Sequence, residues 1–303
     1  MELSESNREL GWRNYFVVDP RLQNALHFRR LNIVPVSLRN DGIMKSMWFI
    51  LGCVVAFNCF FVQFARAESP KPLTMCLDPG GMDSENRNVS TKSIFSGPRI
   101  DIVLEVFRQA SIEVKLINDG PWKRCLHDVS LGYVDFAMGA YFDEERAKVF
   151  DFSDHYNTLT PSVFFLASKK LNITKVEDLE KLHGCGISGY SYSHYKIQPE
   201  KLDWTPDYGS VYRKLISGRC DFLLEELESV VDGENTKQFL HNPLIQHIPA
   251  NWASAPSSYI ITQKNGKSSA ALKDFNRSLK IVIKSGRAAK LWKEGMGDLV
   301  YIP

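Results

Sequence analysis

Residues 135–156, DFAMGAYFDEERAKVFDFSDHY, constrain the fold more than any other part of the sequence. Asp135-Phe-Ala-Met-Gly-Ala140 is a short apolar run ending in small residues, the pattern of a buried strand that opens onto a loop at its carboxyl end. In open α/β sheets, ligands bind at that end of the strands. Arg146 follows within an acidic, helix-prone turn, and Val149-Phe-Asp-Phe-Ser153 is a second strand-like piece. A guanidinium placed there offers a planar fork of donors that fits a carboxylate. The same residue equally suits an exposed turn, paired with Asp143 or Glu144, where an ion pair contributes little.

The N-terminal part has one long apolar segment. Met44-Lys45-Ser46 gives a short positive start, residues 47–64 are almost unbroken hydrophobe, and Ala65-Arg66-Ala67 has the small-x-small form of a signal-peptidase site. Residues 44–67 therefore read as a signal peptide cleaved after Ala67. Residues 1–43 are mixed in charge without periodicity and read as a non-translated or disordered extension, with translation starting at Met44. Arg29-Arg30 lies too far upstream for a twin-arginine signal, and Cys53 has too little hydrophobe before it for a lipoprotein site. An uncleaved anchor helix is the competing reading, since the segment is near the lower limit for spanning.

Beyond Ala67 about 236 of the 303 residues remain, enough for two lobes of ordinary size. Eight of the 37 Lys+Arg and five of the 35 Asp+Glu precede the cleavage point, so the remainder carries a net charge near −1. That balance, with no basic run, argues against nucleic acid as a partner. Four cysteines remain: Cys76, Cys125, Cys185 and Cys220. An even number in an oxidising compartment suggests bridges, with three pairings open; four buried thiols acting as small hydrophobes are the alternative. Their spacing does not suit zinc, and no metal or cofactor is expected.

Taken in order, Leu73-Thr-Met-Cys-Leu77 reads as a strand and Asp78-Pro-Gly-Gly81 as its exit into a polar loop. Gly97-Pro-Arg-Ile-Asp101 opens a helix whose Ile100, Val103, Leu104, Phe107 and Ala110 share a core-facing side. Residues 112–117 form the next strand. Pro121 opens a helix with Trp122, Cys125, Leu126 and Val129 along one stripe, a stripe that suits plain core as well as a cleft mouth. Pro161-Ser-Val-Phe-Phe-Leu166 is an apolar strand, and Thr174-Lys-Val-Glu177 a capping box for a short helix ending at His183-Gly184. Cys185-Gly-Ile-Ser-Gly-Tyr-Ser-Tyr192 reads as strand, glycine turn and helix start, a turn that presents N–H groups and hydroxyls to an anion. Residues 211–216 are helical, Cys220-Asp-Phe-Leu-Leu224 is a buried strand, and Glu225-Glu226 stands at its carboxyl end, where a solvated acidic helix start with Glu228 is the plainer account. Residues 244–248 and 257–262 are strands. Residues 268–284 form an amphipathic helix with Leu272, Phe275, Leu279 and Ile283 inward, and Ser285-Gly-Arg287 restarts a last helix carrying Leu291 and Trp292.

The succession of strand, small-residue loop, Glu-Arg pair and Phe-Ser-x-x-Tyr in residues 135–156 resembles the signature of the family 3 extracellular solute-binding proteins, the periplasmic receptors of amino-acid ABC transporters. The resemblance runs from Leu73 to Trp292 and is most specific at residues 121–156 and 217–226. It implies an α/β fold of the periplasmic binding protein type II, two doubly wound lobes joined by a two-strand hinge, with residues 68–162 and 258–303 in lobe 1 and 163–257 in lobe 2. Arg146 then grips a ligand carboxylate, Ser191 supplies a second grip with Tyr192 beside it, Glu226 holds an α-ammonium, and Trp122 stacks on the ligand at the cleft mouth. Asp78, Ala140 and Tyr141 complete the expected site at the ends of the first-lobe strands. Pairing within lobes, Cys76 with Cys125 and Cys185 with Cys220, follows from the same lobe assignment. Two departures stand out: the loop after residue 77 offers no aromatic side chain, and Arg99 occupies a usually acidic position.

The resemblance implies a monomeric periplasmic binding protein, not an enzyme, whose partners are a small amino acid or carboxylate and an inner-membrane ABC permease. Three relatives of the fold give rival expectations: a cleft enzyme of the cyclohexadienyl dehydratase type, a sensor module, and a binding protein that works without a transporter. A sensor would need a second span and a signalling domain, which this sequence does not carry up to Pro303.

Overall fold

The computed structural model describes residues 71–77, 97–118, 120–233 and 236–303. The expected signal peptide, the upstream extension and Asp78 lie outside them. Among the described residues, no helix is long and apolar enough to cross a membrane.

The first sheet contains β1 (Leu73–Leu77), β2 (Val114–Ile117), β3 (Phe136–Tyr141), β4 (Phe150–Phe152), β5 (Asn157–Thr158) and β11 (Ser257–Gln263). Its order is β2-β1-β3-β11-β4, with β5 also on β11; β1 to β3 are parallel and β11 runs against its neighbours. The second sheet has the order β10-β6-β9-β7-β8, from β6 (Pro161–Leu166), β7 (Gly184–Ile187), β8 (Leu202–Thr205), β9 (Phe222–Glu226) and β10 (Ile245–Pro249). The chain leaves the first sheet between β5 and β6 and returns between β10 and β11, which gives two connections.

Strand periodicity explains why both sheets are covered on two faces. Side chains alternate across a strand, so Met75, Phe136, Met138 and Ile260 enter one apolar cluster of the first sheet while Cys76, Ala137 and Ile261 enter another. Over the first face lie α1 (Pro98–Gln109), α7 (Ser269–Lys284) and α8 (Arg287–Met296), with Phe107 packed 5.3 Å from Phe136 and 4.9 Å from Phe275, ring centre to ring centre. Over the second lies α2 (Trp122–Ser130). In the second sheet Phe164, Cys185 and Leu223 face one cluster, and Val163, Phe165, Phe222 and Leu224 the other. These near-continuous apolar strands are what double coverage requires.

Each disulfide ties a covering element or turn to its own sheet. Cys76 of β1 is bonded to Cys125 of α2, and Cys185 of β7 to Cys220 just before β9, with Cα separations of 5.9 and 5.7 Å.

Some expected details differ. Helix α1 buries Ile102 and Val106 as well as Ile100, Val103 and Phe107, because it is packed between the sheet and two other helices. In α7 the fourth buried apolar position is Val282, with Ile283 only partly covered. The expected capped helix after Thr174 is a single 3-10 turn, Val176–Leu179, and its capping carboxylate is Asp178, not Glu177: it accepts from the amides of Thr174 and Lys175 at 2.8 and 3.1 Å.

Candidate functional site

Strand β3 delivers its last residue, Tyr141, to the edge of the first sheet, and Asp143 then caps α3 (Glu144–Val149) by accepting from the amides of Glu145 and Arg146. This short helix aims Arg146 back across the end of the strand. Its Nη1 donates to the carbonyl of Tyr141 at 3.0 Å and its Nη2 to the carbonyl of Gly189 at 2.7 Å, so one guanidinium spans both lobes. Burial lowers the pKa of Arg146 from its ordinary value, against the nearby negative charge of Asp143.

The loop after β7 meets this corner directly. Gly189 has φ +90°, and a Cβ there would lie 3.2 Å from the backbone of Lys123 at the start of α2. Only glycine combines that backbone with so close an approach. Two residues on, the Ser191 hydroxyl donates to Asp143 at 3.3 Å.

Opposite Arg146, β9 ends in two buried carboxyl groups, Glu225 and Glu226, each 2% exposed, and Glu228 is also buried. A solvated acidic helix start is therefore not what these residues form. Glu226 accepts from the Tyr141 phenol through one oxygen and contacts His194 Nε2 at 2.7 Å through the other. Burial works to raise the Glu226 pKa, but the hydrogen bond and charge of His194 outweigh it and hold the group below the usual carboxylate value. Glu225 accepts from the Tyr208 hydroxyl at 2.7 Å. Burial, with the charge of Glu226 alongside, pushes the pKa of Glu225 well above the ordinary range. The same surroundings, burial first and then the two carboxyl groups, raise the Tyr141 phenol.

A second connection lies at the base of the lobes. Arg99, at the start of α1, places Nε 2.7 Å from Asp232 and Nη1 3.1 Å from Ser229, both on α5 (Leu227–Asp232). Burial opposes its charge, yet the adjacent Asp232 carboxylate prevails and raises its pKa. Glu228 of the same helix accepts from the amide and hydroxyl of Thr160, both at 2.7 Å, and so fixes the first connection.

The structure thus brings Arg146, Tyr141, Ser191 and Glu226 to one place. Trp122 is 5% exposed inside the apolar cluster of α2, with Tyr190 packed on the same cluster. Ala140 is buried in that cluster too, and Tyr192 turns inward, its hydroxyl accepting from the Ile187 amide at 3.0 Å. Sequence reasoning missed His194 and the pairing of Arg99 with Asp232, and it noted Glu225 beside Glu226 without foreseeing that both would be buried. The only signal for His194 was its position two residues past Tyr192 in a loop already expected to face the ligand. Among the described residues, no cluster of side chains could hold a metal ion.

Two doubly wound lobes, joined by two connections and meeting over an arginine and a buried acid, define the periplasmic binding protein type II fold. The chain belongs to the bacterial extracellular solute-binding proteins, family 3, whose profile matches residues 81–297. A comparison with curated protein sequences finds no match. Among solved structures, the chain is similar to the arginine-, lysine-, histidine-binding protein ArtJ of Geobacillus stearothermophilus, with a TM-score of 0.60 and 18% identity over 75% of this chain and 96% of that one. It is also similar to AbpA of Streptococcus pneumoniae, an amino acid ABC transporter substrate-binding protein bound to L-arginine, with a TM-score of 0.58 and 21% identity over 74% and 94%. A histidine kinase sensor domain aligns with a TM-score of 0.62 and 17% identity over 76% and 98%. At these identities, the structural likeness shows a shared fold alone.

Proposed function

We propose that this protein captures a small carboxylate-bearing ligand, an amino acid or a related compound, between its two lobes and delivers it to an inner-membrane ABC permease. In this reading residues 44–67 direct export and are removed after Ala67, residues 68–162 with 258–303 form one lobe and 163–257 the other, and the mature protein works in the periplasm as a monomer. The observation that carries the proposal is Arg146, a half-buried guanidinium lying between main-chain carbonyls of the two lobes. A ligand carboxylate that receives the fork of Arg146 from one lobe and touches Ser191 on the other favours the closed form by its differential contacts. The family resemblance assigns Glu226 to the second polar group of the ligand. Thermal-shift screening over amino acids and small organic acids, followed by titration of the Arg146→Ala variant with the best binder, tests it. A parent-like affinity in that variant would place the carboxylate elsewhere.

A cleft enzyme is the second reading, and one observation favours it: burial raises the pKa of Glu225 while the His194 contact lowers that of Glu226 beside it, so two carboxyl groups of opposite tendency stand together. Turnover of prephenate or arogenate by purified protein would support it, and silence in that assay leaves the binding function.

A further inference from the structure

The charges around the cleft are unequal in how well they are met. Each acidic group there has donors. Glu226 has the Tyr141 phenol and His194, Glu225 has the Tyr208 hydroxyl and the Glu226 amide, and Asp143 has two helix amides and the Ser191 hydroxyl. Arg99 has Asp232. Arg146 alone among these groups meets only neutral acceptors, two main-chain carbonyls; among the described residues, no carboxylate lies within ion-pair distance of its guanidinium. A guanidinium has five N–H donors, and the two carbonyls use one on each terminal nitrogen.

A half-buried cation with no ion-pair partner, near only an Asp143 whose oxygens already accept from two amides and a hydroxyl, favours an anion, whereas a buried carboxylate already served by a phenol and an imidazole does not call for a cation. To pair with Glu226, a ligand ammonium would have to displace the Tyr141 hydroxyl or the His194 ring, or crowd against both. From this asymmetry, and resting on the reading of Arg146 as the carboxylate grip, we infer that the ligand is a small carboxylate whose second polar group is uncharged, such as a hydroxyl or keto oxygen, in place of the α-ammonium of an amino acid. An uncharged oxygen can share the hydrogen bonds of Tyr141 and His194 without leaving either unpaired. His194 is then a specificity-determining residue, because it occupies the oxygen of Glu226 that an ammonium would need.

The test is calorimetric titration of the secreted protein with matched sets: alanine, glutamine, arginine and phenylalanine, the 2-hydroxy acid of each, and the carboxamide of each amino acid. At least one 2-hydroxy acid should bind tenfold or more tightly than its amino acid, and no carboxamide should match the better of the two. In the His194→Ala variant that preference should move about tenfold toward the amino acid. If amino acids bind as well as their hydroxy acids or better, or if no carboxylate of the panel binds at millimolar concentration, the inference is overturned. If the carboxamides bind as tightly as the carboxylates, the Arg146 reading itself fails, which separates the two outcomes. An unchanged preference in His194→Ala would remove the role given to that residue.

Discussion

Arg146 donates to the main-chain carbonyl of Gly189 at 2.7 Å, linking the helix after β3 to the loop after β7. The link depends on how near that loop approaches, and Gly189 sets the distance by lying against the backbone of Lys123 at a positive φ. In Gly189→Ala, the added Cβ meets that backbone and the residue must hold a conformation that costs an L-residue about 1–2 kcal/mol. Closure should become less favourable and ligand affinity should fall roughly tenfold, since 1.4 kcal/mol is a factor of ten. Titration of parent and variant with the same ligand measures it, and equal affinities would show that this approach is not part of binding.

The Arg99–Asp232 pair should matter for stability rather than for ligand choice. The Asp232 side chain is 4% exposed, and removal of its partner leaves a buried carboxylate unpaired. Arg99→Leu is expected to lower the unfolding free energy by about 3–5 kcal/mol, with partial recovery in the Arg99→Leu, Asp232→Leu double variant. Urea denaturation gives the answer; a loss below about 1 kcal/mol would mean the charge is met by other groups.

Glu225 gives the fold a pH dependence of known sign. It holds its proton in the folded protein above the ordinary carboxylate range, so the folded chain binds more protons than the unfolded chain over that window. Stability contributed by this group is therefore lost as pH rises through the window. Glu225→Gln keeps an acceptor for Tyr208 and removes the titration. The variant should gain on the parent as pH rises above the ordinary carboxylate range, with a slope of at most about 1.4 kcal/mol per pH unit. Glu226 does not cancel this, because its pKa is lowered and its contribution is lost only at more acid pH. Chemical denaturation of both proteins across the range decides the matter; parallel curves would mean that Glu225 ionises normally.

Much of this architecture was legible because strand burial is written locally. Runs such as 163–166 and 222–224 are apolar on both faces, and the helices that cover them carry periodic stripes. The two cysteine bridges agree with the pairing within lobes that the family resemblance implied. The contacts that shape the cleft were not legible for the opposite reason. Tyr141 meets Glu226 across 85 residues, and Arg99 meets Asp232 across 133, so neither pair leaves a mark on the residues beside it. Tyr192 shows a related limit. An aromatic in a polar glycine turn looks available to a ligand, yet its hydroxyl is the partner an inner strand amide requires.

The central claim is that Arg146 holds a ligand carboxylate between the lobes, and titration of Arg146→Ala beside the parent tests it most directly. Loss of the guanidinium leaves a desolvated anion without its partner, so affinity should fall by about 2–5 kcal/mol. Arg146→Lys should recover only part of this, because an ammonium carries the charge without the planar fork. If the alanine variant binds the ligand as tightly as the parent does, the carboxylate is not held by Arg146.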